Sequence, residues 1–399
     1  NNGANQLFAP FFFICYRKFP TFIAVSNISL MPQTDLLWKI ALGLIPGVGD
    51  IGARKLVSCT GSPEAVFREP YGALIKIRGI GDATARAIAD RSYLRQAEKE
   101  AEYVTAKGIK TYFYLDDDYP RRLKECTDSP VIIYYSGSAN PDADKVLSIV
   151  GTRKATPRGR EICESIIHKL SEMFPGLLIV SGLAYGVDIT AHKAALGAGL
   201  STIAVLAHGL KTIYPPEHSP VARKMLTQGG LLTDFVSDAP AERNNFLKRN
   251  RIIAGISGAL LVIESGVKGG ALVTAEMALS YSRDVMAVPG RPSDNWSGGC
   301  NRLIKRNIAA LVENASDICE FLNWQTSTEI RPKQQELFHD LDATEAIILK
   351  LIDDNDLMSA DQIARHTGIP VHTLLSLLLS LEVKGRIRTR PGNNYSLPG

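Results

Sequence analysis

The residues best suited to chemistry in this chain lie between Leu147 and Pro289, where short apolar runs end in small or phosphate-friendly residues. Leu147-Ser148-Ile149-Val150 stops at Gly151-Thr152-Arg153, and Leu177-Leu178-Ile179-Val180 stops at Ser181-Gly182. Ala259-Leu260-Leu261-Val262-Ile263-Glu264 runs into Ser265-Gly266-Val267-Lys268-Gly269-Gly270. Glycine lets backbone N–H groups approach an anion, and a helix starting after such a turn adds positive potential at its N-terminus. Arg249-Asn250-Arg251, at a helix start with Lys248 before it, reads as a phosphate clamp in which two arginines flank an amide; its plainer reading is a salt-bridged helix start. Phe246, just ahead of it, is a candidate platform on which a base stacks, with Arg243 as a nearby cation; its plainer reading is a core phenylalanine.

Other reactive residue types make no catalytic set. Asp188 and His192 stand four apart on a helical pattern and suggest an acid–base pair, yet that spacing more often caps or braces a helix. Glu264 ends a strand with no second carboxylate, nucleophile–base pair or metal cluster to act with it. Asp116-Asp117-Asp118 reads as a solvated turn, because consecutive carboxylates diverge and no EF-hand glycine or terminal glutamate follows. Cys15, Cys59, Cys126, Cys163, Cys300 and Cys319 include no C-x-x-C pair and read as reduced thiols of a cytoplasmic protein. No catalytic residue, metal or cofactor is assigned.

These turns need a scaffold that brings them to one edge. Six apolar runs read as strands: the three above, Thr202 to Leu206, Leu231 to Asp234, and Val285 to Val288. Helical patterns separate them, as at Ile162, Cys163, Ile166, Ile167 and Leu170, so an α/β fold with a doubly wound, Rossmann-like parallel sheet is expected. Continuous apolar runs fit strands covered on both faces. Lys110 to Leu115 and Ser129 to Tyr135 read as further strands leading into the sheet. A dinucleotide cofactor does not fit, since no G-x-G-x-x-G follows the first strand and Arg153, Lys154 and Arg158 stand at its mouth instead. Gly266 to Gly270 lacks the Lys-Ser/Thr of a Walker loop, so ATP hydrolysis is not expected.

At 399 residues, with 45% hydrophobic and 22% charged composition and a net charge of +4, the chain has the make-up of an ordinary multidomain globular protein. The mild basicity permits nucleic-acid binding without demanding it. Residues 1–30 precede Met31 and are expected to be a non-native or disordered extension; Phe8 to Tyr16 is too short to span a bilayer, so no membrane partner is assigned. Residues 31–110 are helical and carry one pattern twice: Pro46-Gly47-Val48-Gly49 before Ile51 to Leu56, and Arg78-Gly79-Ile80-Gly81 before Ala83 to Ile88. This is the helix-hairpin-helix signature, in which Arg54 or Lys55 and Arg86 would stand beside a DNA phosphate; the plainer reading is a helical scaffold. The sheet domain is expected over 111–323, a polar linker over 324–342, and a small domain of three helices and a two-stranded wing over 343–399.

The ordered motifs carry a family resemblance. Ile149 to Arg153, Ser181 to Asp188 with Ala191-His192, Arg249 to Gly255, Gly269-Gly270-Ala271-Leu272-Val273-Thr274-Ala275, and Val288-Pro289-Gly290 resemble the DNA-processing protein DprA (Smf) family. Tyr119-Pro120 and Gly298 to Ile304 fit the same pattern, and the last domain resembles the family's winged helix. The resemblance implies an extended Rossmann-like domain that binds single-stranded DNA, dimerises, and helps load the recombinase RecA in natural transformation, with single-strand-binding protein as a further partner. The candidate DNA contacts are Gly151, Thr152, Arg153, Ser181, Gly182, Arg249, Asn250, Arg251, Gly269, Gly270 and Thr274 on the matched motifs, with Arg243, Phe246 and Lys268 read from the residues beside them. The chain departs from the pattern at Thr233-Asp234, at Phe246-Leu247-Lys248, and at Lys268-Gly269-Gly270, where a hydroxyl is lost and a charge gained. The competing reading is a phosphoribohydrolase-like, nucleotide-processing enzyme on a related fold, whose P-G-G-x-G-T-x-x-E signature is absent.

Overall fold

The computed structural model describes residues 33–325, 342–355, 357–390 and 393–397. The expected extension 1–30, nearly all of the linker 324–342, and Pro391-Gly392 in the wing lie outside the described residues. The chain divides into two compact units, one ending at Trp324 and the other starting at Gln325.

The first unit is built on a nine-stranded sheet. In chain order its strands are β1 Lys110–Phe113, β2 Ile132–Gly137, β3 Val146–Val150, β4 Leu178–Ser181, β5 Ser201–Val205, β6 Gly229–Thr233, β7 Ala259–Val262, β8 Asp284–Ala287 and β9 Ala310–Leu311. Across the sheet they run β1-β2-β6-β5-β4-β3-β7-β8-β9. β1 and β2 pair antiparallel, β2 joins β6 antiparallel, and every pair from β6 to β9 is parallel. The expected doubly wound sheet is therefore present, with an antiparallel margin.

Burial on both faces explains the unbroken apolar runs, because successive side chains point to opposite sides. Leu147 and Ile149 of β3 pack with Ile166, Ile167 and Leu170 of the helix Pro157–Met173. Val146 and Val150 of the same strand join the opposite layer, with Ile252, Ile253 and Ile256 of the helix Arg243–Ile256. Small residues do the same work where helices approach closely: Ala271, Ala275 and Ala278 line the inner face of Gly270–Ser280.

The N-terminal helices form a layer that shares a core with the antiparallel margin, since Ile40, Leu56, Phe67 and Leu74 pack with Phe113, Val131, Ile132 and Tyr134. Gly47 and Gly79 turn with φ of 76° and 87°, a backbone region that side chains with a Cβ avoid, and Gly49 and Gly81 cap the helices that follow. The hairpins are thus formed, but the first is turned inward. Asp50 accepts from Val131 N at 2.8 Å, while Arg54 donates to the Ser129 carbonyl at 3.0 Å and lies 4.8 Å from the Tyr114 ring centroid. Arg86 pairs with Asp82 at 2.9 Å. Of Arg54 and Lys55, either one expected beside a phosphate at the first hairpin, Arg54 is instead held within the protein.

The second unit has the winged-helix order. Helices Ala343–Asn355, Ala360–Thr367 and Val371–Val383 accompany β10 Met358–Ser359, β11 Arg388–Arg390 and β12 Asn394–Ser396, paired β10-β12-β11. Ile348, Ile352, Ile363, Leu374, Leu378 and Leu381 fill its core. Ser359 and Gln362 form a capping box that fixes where its second helix starts.

Candidate nucleic-acid interface

Strand order reverses at β3, which has β4 on one side and β7 on the other. Loops leaving such a pair diverge and open a crevice at the carboxyl ends of the strands. Gly151, Thr152 and Arg153 after β3 form one wall of that crevice, and Phe246, Arg249 and Asn250 form another. Gly266, Gly269, Gly270 and Thr274 close it from the β7 side, together with Trp296.

The turn after β3 is tightly fixed. Thr152 N donates to the Glu264 carbonyl at 2.7 Å, and the Thr152 carbonyl accepts from Val187 N at 3.2 Å. A side chain at Gly151 would place its Cβ 2.4 Å from Val187, so only glycine fits. Glu264 is a brace: its carboxylate accepts from Thr156 N at 2.9 Å and from Thr156 Oγ1 at 2.6 Å. Thr156 in turn accepts from Gly159 N at 3.0 Å and caps the helix Pro157–Met173. Arg153 is left exposed at the rim, its guanidinium carbon 5.0 Å from the centroid of Phe246. Phe246 is half-buried and meets Tyr214 edge-on, with centroids 5.9 Å apart and planes at 65°. An aromatic face bearing an exposed cation at the mouth of a glycine-lined crevice suits both a base and a phosphate.

The expected two-arginine clamp is corrected by the structure, for a simple geometric reason: residues two apart on a helix do not share a face. Arg251 points away from the crevice, to Asp234 at 2.6 Å and Asp50 at 3.0 Å, and also donates to the Asp128 carbonyl. Burial works against its charge, but Asp234 and Asp50 outweigh burial and hold the guanidinium well above its ordinary value. Arg249 faces the crevice floor at only 3% exposure, donating to the Gly182 carbonyl at 2.6 Å and to that of Val205. Burial lowers it to about 10, against the attraction of Asp188. A Cβ at Gly182 would sit 2.1 Å from Arg249 Nη1, which is why the turn after β4 carries glycine.

Other expected site residues separate in the same way. Ser181 is fully buried and donates to the Ile149 carbonyl at 2.6 Å, tying β4 to β3 rather than facing a ligand. Asp188 accepts from Gly182 N at 3.2 Å and Ala184 N at 3.4 Å, and burial raises its pKa despite Arg249 nearby. His192 lies 2.7 Å from Thr202 Oγ1 while Asp188 holds backbone N–H groups of the turn, so the two brace the fold separately and do not pair with each other. Arg243 is exposed in the first turn of its helix, outside the crevice lining. Lys268 lies on the far side of its glycine turn, in a neighbouring hollow, and does not share one pocket with Arg153. Trp296, against Gly266, and Tyr214 were not anticipated; both are aromatics in loops without periodicity, and only the sheet brings them to this edge.

Among the described residues no group of three or more His, Cys, Asp or Glu is placed to hold a metal, and no helix is long and apolar enough to cross a membrane. Cys163 and Cys300 are buried free thiols, Cys300 pushed up to about 12 by burial.

A mainly parallel sheet with a glycine-lined, cation-bearing crevice at its reversal point defines a Rossmann-like protein without the dinucleotide fingerprint. The chain belongs to the DNA recombination-mediator protein A family, which it matches over residues 110–323, and residues 332–393 match the DprA winged helix domain. It is 36% identical over 290 residues to protein Smf of Escherichia coli, covering 70% of this chain and 75% of that relative. It is 36% identical over 208 residues to the DNA processing protein DprA of Streptococcus pneumoniae, covering 52% of this chain and 72% of the relative. The X-ray structure of DprA from Streptococcus pneumoniae superposes with a TM-score of 0.62 at 31% identity, covering 71% of this chain and 97% of that one.

Proposed function

We propose that the protein binds single-stranded DNA in the crevice at the reversal of the sheet, protects it, and helps load it with RecA during natural transformation and recombination. It does so as a non-enzymatic homodimer in the cytoplasm, with single-strand-binding protein as a further partner. The observation that carries the DNA reading is the exposed Arg153 lying 5.0 Å over Phe246, beside the glycine turns of the crevice. Unpaired bases can reach such a ring and stack on it, whereas paired bases are already stacked on their neighbours. Family membership supports the recombination role.

The test is fluorescence anisotropy with a labelled single-stranded oligonucleotide over a range of salt. Wild-type protein should bind, and Arg153→Ala should bind more weakly, with the log–log salt slope reduced by about 0.7, the share of a single phosphate on a single strand. Absence of binding at low salt by folded wild-type protein, together with base release from nucleoside monophosphates, would favour the nucleotide-processing enzyme instead.

A further inference from the structure

Lys268 does not face the crevice with Arg153; it faces a second group of cations. The turn Gly266 to Gly270 is a ridge with a hollow on each side, and Gly269 lines both. On the far side Lys268 stands with Arg302 and Arg306, which lie on and just after the helix Gly298–Lys305. All three cations are exposed, and none makes an ion pair or a side-chain hydrogen bond among the described residues. Glu276 is the one carboxylate in the lining. Unlike Arg54, Arg86 and Arg251, each matched to an acceptor of this chain, these three share one concavity. Val267, 54% exposed, and Val273, 36% exposed, add apolar surface suited to sugar faces.

We infer that this hollow is a second phosphate-binding station, and that a single strand seated on Arg153 and Phe246 continues over the glycine ridge to Lys268, Arg302 and Arg306. The inference rests on the single-strand reading of the crevice and extends it to a path across two adjoining hollows. Gly269 lines both hollows and presents no side chain at the crossing. A short strand fills the crevice alone. A longer one reaches both stations, so the cations of the second act only on length.

The experiment compares wild type, the double variant Arg302→Ala/Arg306→Ala and Arg153→Ala, each as the full chain. Each is titrated with oligonucleotides of about six and about twenty nucleotides, lengths near the lower end of and above typical single-strand site sizes. The double variant should hold the short strand like wild type and bind the long one roughly tenfold more weakly, its salt slope falling by about 1.4 as two phosphates go unneutralised. Arg153→Ala should weaken both lengths. Equal weakening at both lengths, or none at either, overturns the inference while leaving single-strand binding in the crevice intact. Weakening accompanied by a change of molecular mass in solution also overturns it, assigning the hollow to association between copies. Failure of wild type to bind either strand defeats the underlying reading instead.

Discussion

Arg153 and Arg251 show how one residue type divides between function and framework. Arg153 is exposed with its guanidinium over a ring, whereas Arg251 joins Asp50 of the helical layer to Asp234 just after β6. Removing one partner of a buried ion set leaves the others unmatched, at a cost of about 3–5 kcal/mol. Arg251→Ala should therefore lower the unfolding free energy by about that much. Arg153→Ala should leave it within about 0.5 kcal/mol, as surface substitutions do. Denaturant unfolding of both variants checks the contrast; an Arg251→Ala protein as stable as wild type would reject the structural role. The sequence Arg249-Asn250-Arg251 shows the residue types, but not which cation is turned inward. That choice depends on Asp50, about two hundred positions earlier in the chain, and no local pattern reports it.

At the scale of elements, the crevice is set by how the helix Val187–Gly197 docks beneath the turn after β4, and a buried histidine sits in that joint. Thr202 Oγ1 donates its proton to the Ile179 carbonyl at 3.0 Å, so it can only accept from His192 Nδ1 at 2.7 Å. The imidazole is therefore the Nδ1–H tautomer, and Nε2 is buried without a partner among the described residues. Burial, reinforced by the positive charge of Arg249 and by His218, lowers its pKa from 6.5 to about 3. The unfolded chain thus takes up a proton below about 6.5 that the folded chain refuses until about 3. Its contribution to stability is fully present above pH 6.5 and is lost as pH falls through that window, by at most about 1.4 kcal/mol per pH unit. The unfolding free energy of wild type should fall from pH 6.5 towards 4, and His192→Asn should flatten that fall; parallel curves would show that the histidine does not drive it. The helical spacing of Asp188 and His192 is visible in sequence, but their separate tasks are not. Asp188 caps a turn while His192 reaches across to Thr202 of β5, and that division requires the order of the strands.

For the whole molecule, the parallel sheet is legible because both of its faces are covered, which writes unbroken apolar runs ending in glycine turns. β9 escapes such reading because its two residues, Ala310–Leu311, are too few to show a period. The inward turn of the first hairpin escapes it too, since a hairpin signature does not reveal that Val131 N will occupy Asp50. The winged-helix unit poses the same problem of partners. Its third helix, Val371–Val383, is followed by Lys384, but that ammonium pairs with Glu345 at 2.7 Å. His372 is the remaining basic residue on the helix, while Val371, Leu375, Leu379 and Val383, spaced by one turn each, are 43%, 43%, 62% and 81% exposed. A helix that reads duplex DNA needs cations and amides towards the groove, and an apolar stripe offers neither. The unit should accordingly add little to oligonucleotide affinity. Removal of residues from Ala343 onward should keep the dissociation constant for a single strand of about twenty nucleotides within about threefold of wild type at matched salt. Weakening by more than about tenfold, in a truncated protein whose unfolding midpoint is unchanged, would move a principal DNA contact into the second unit.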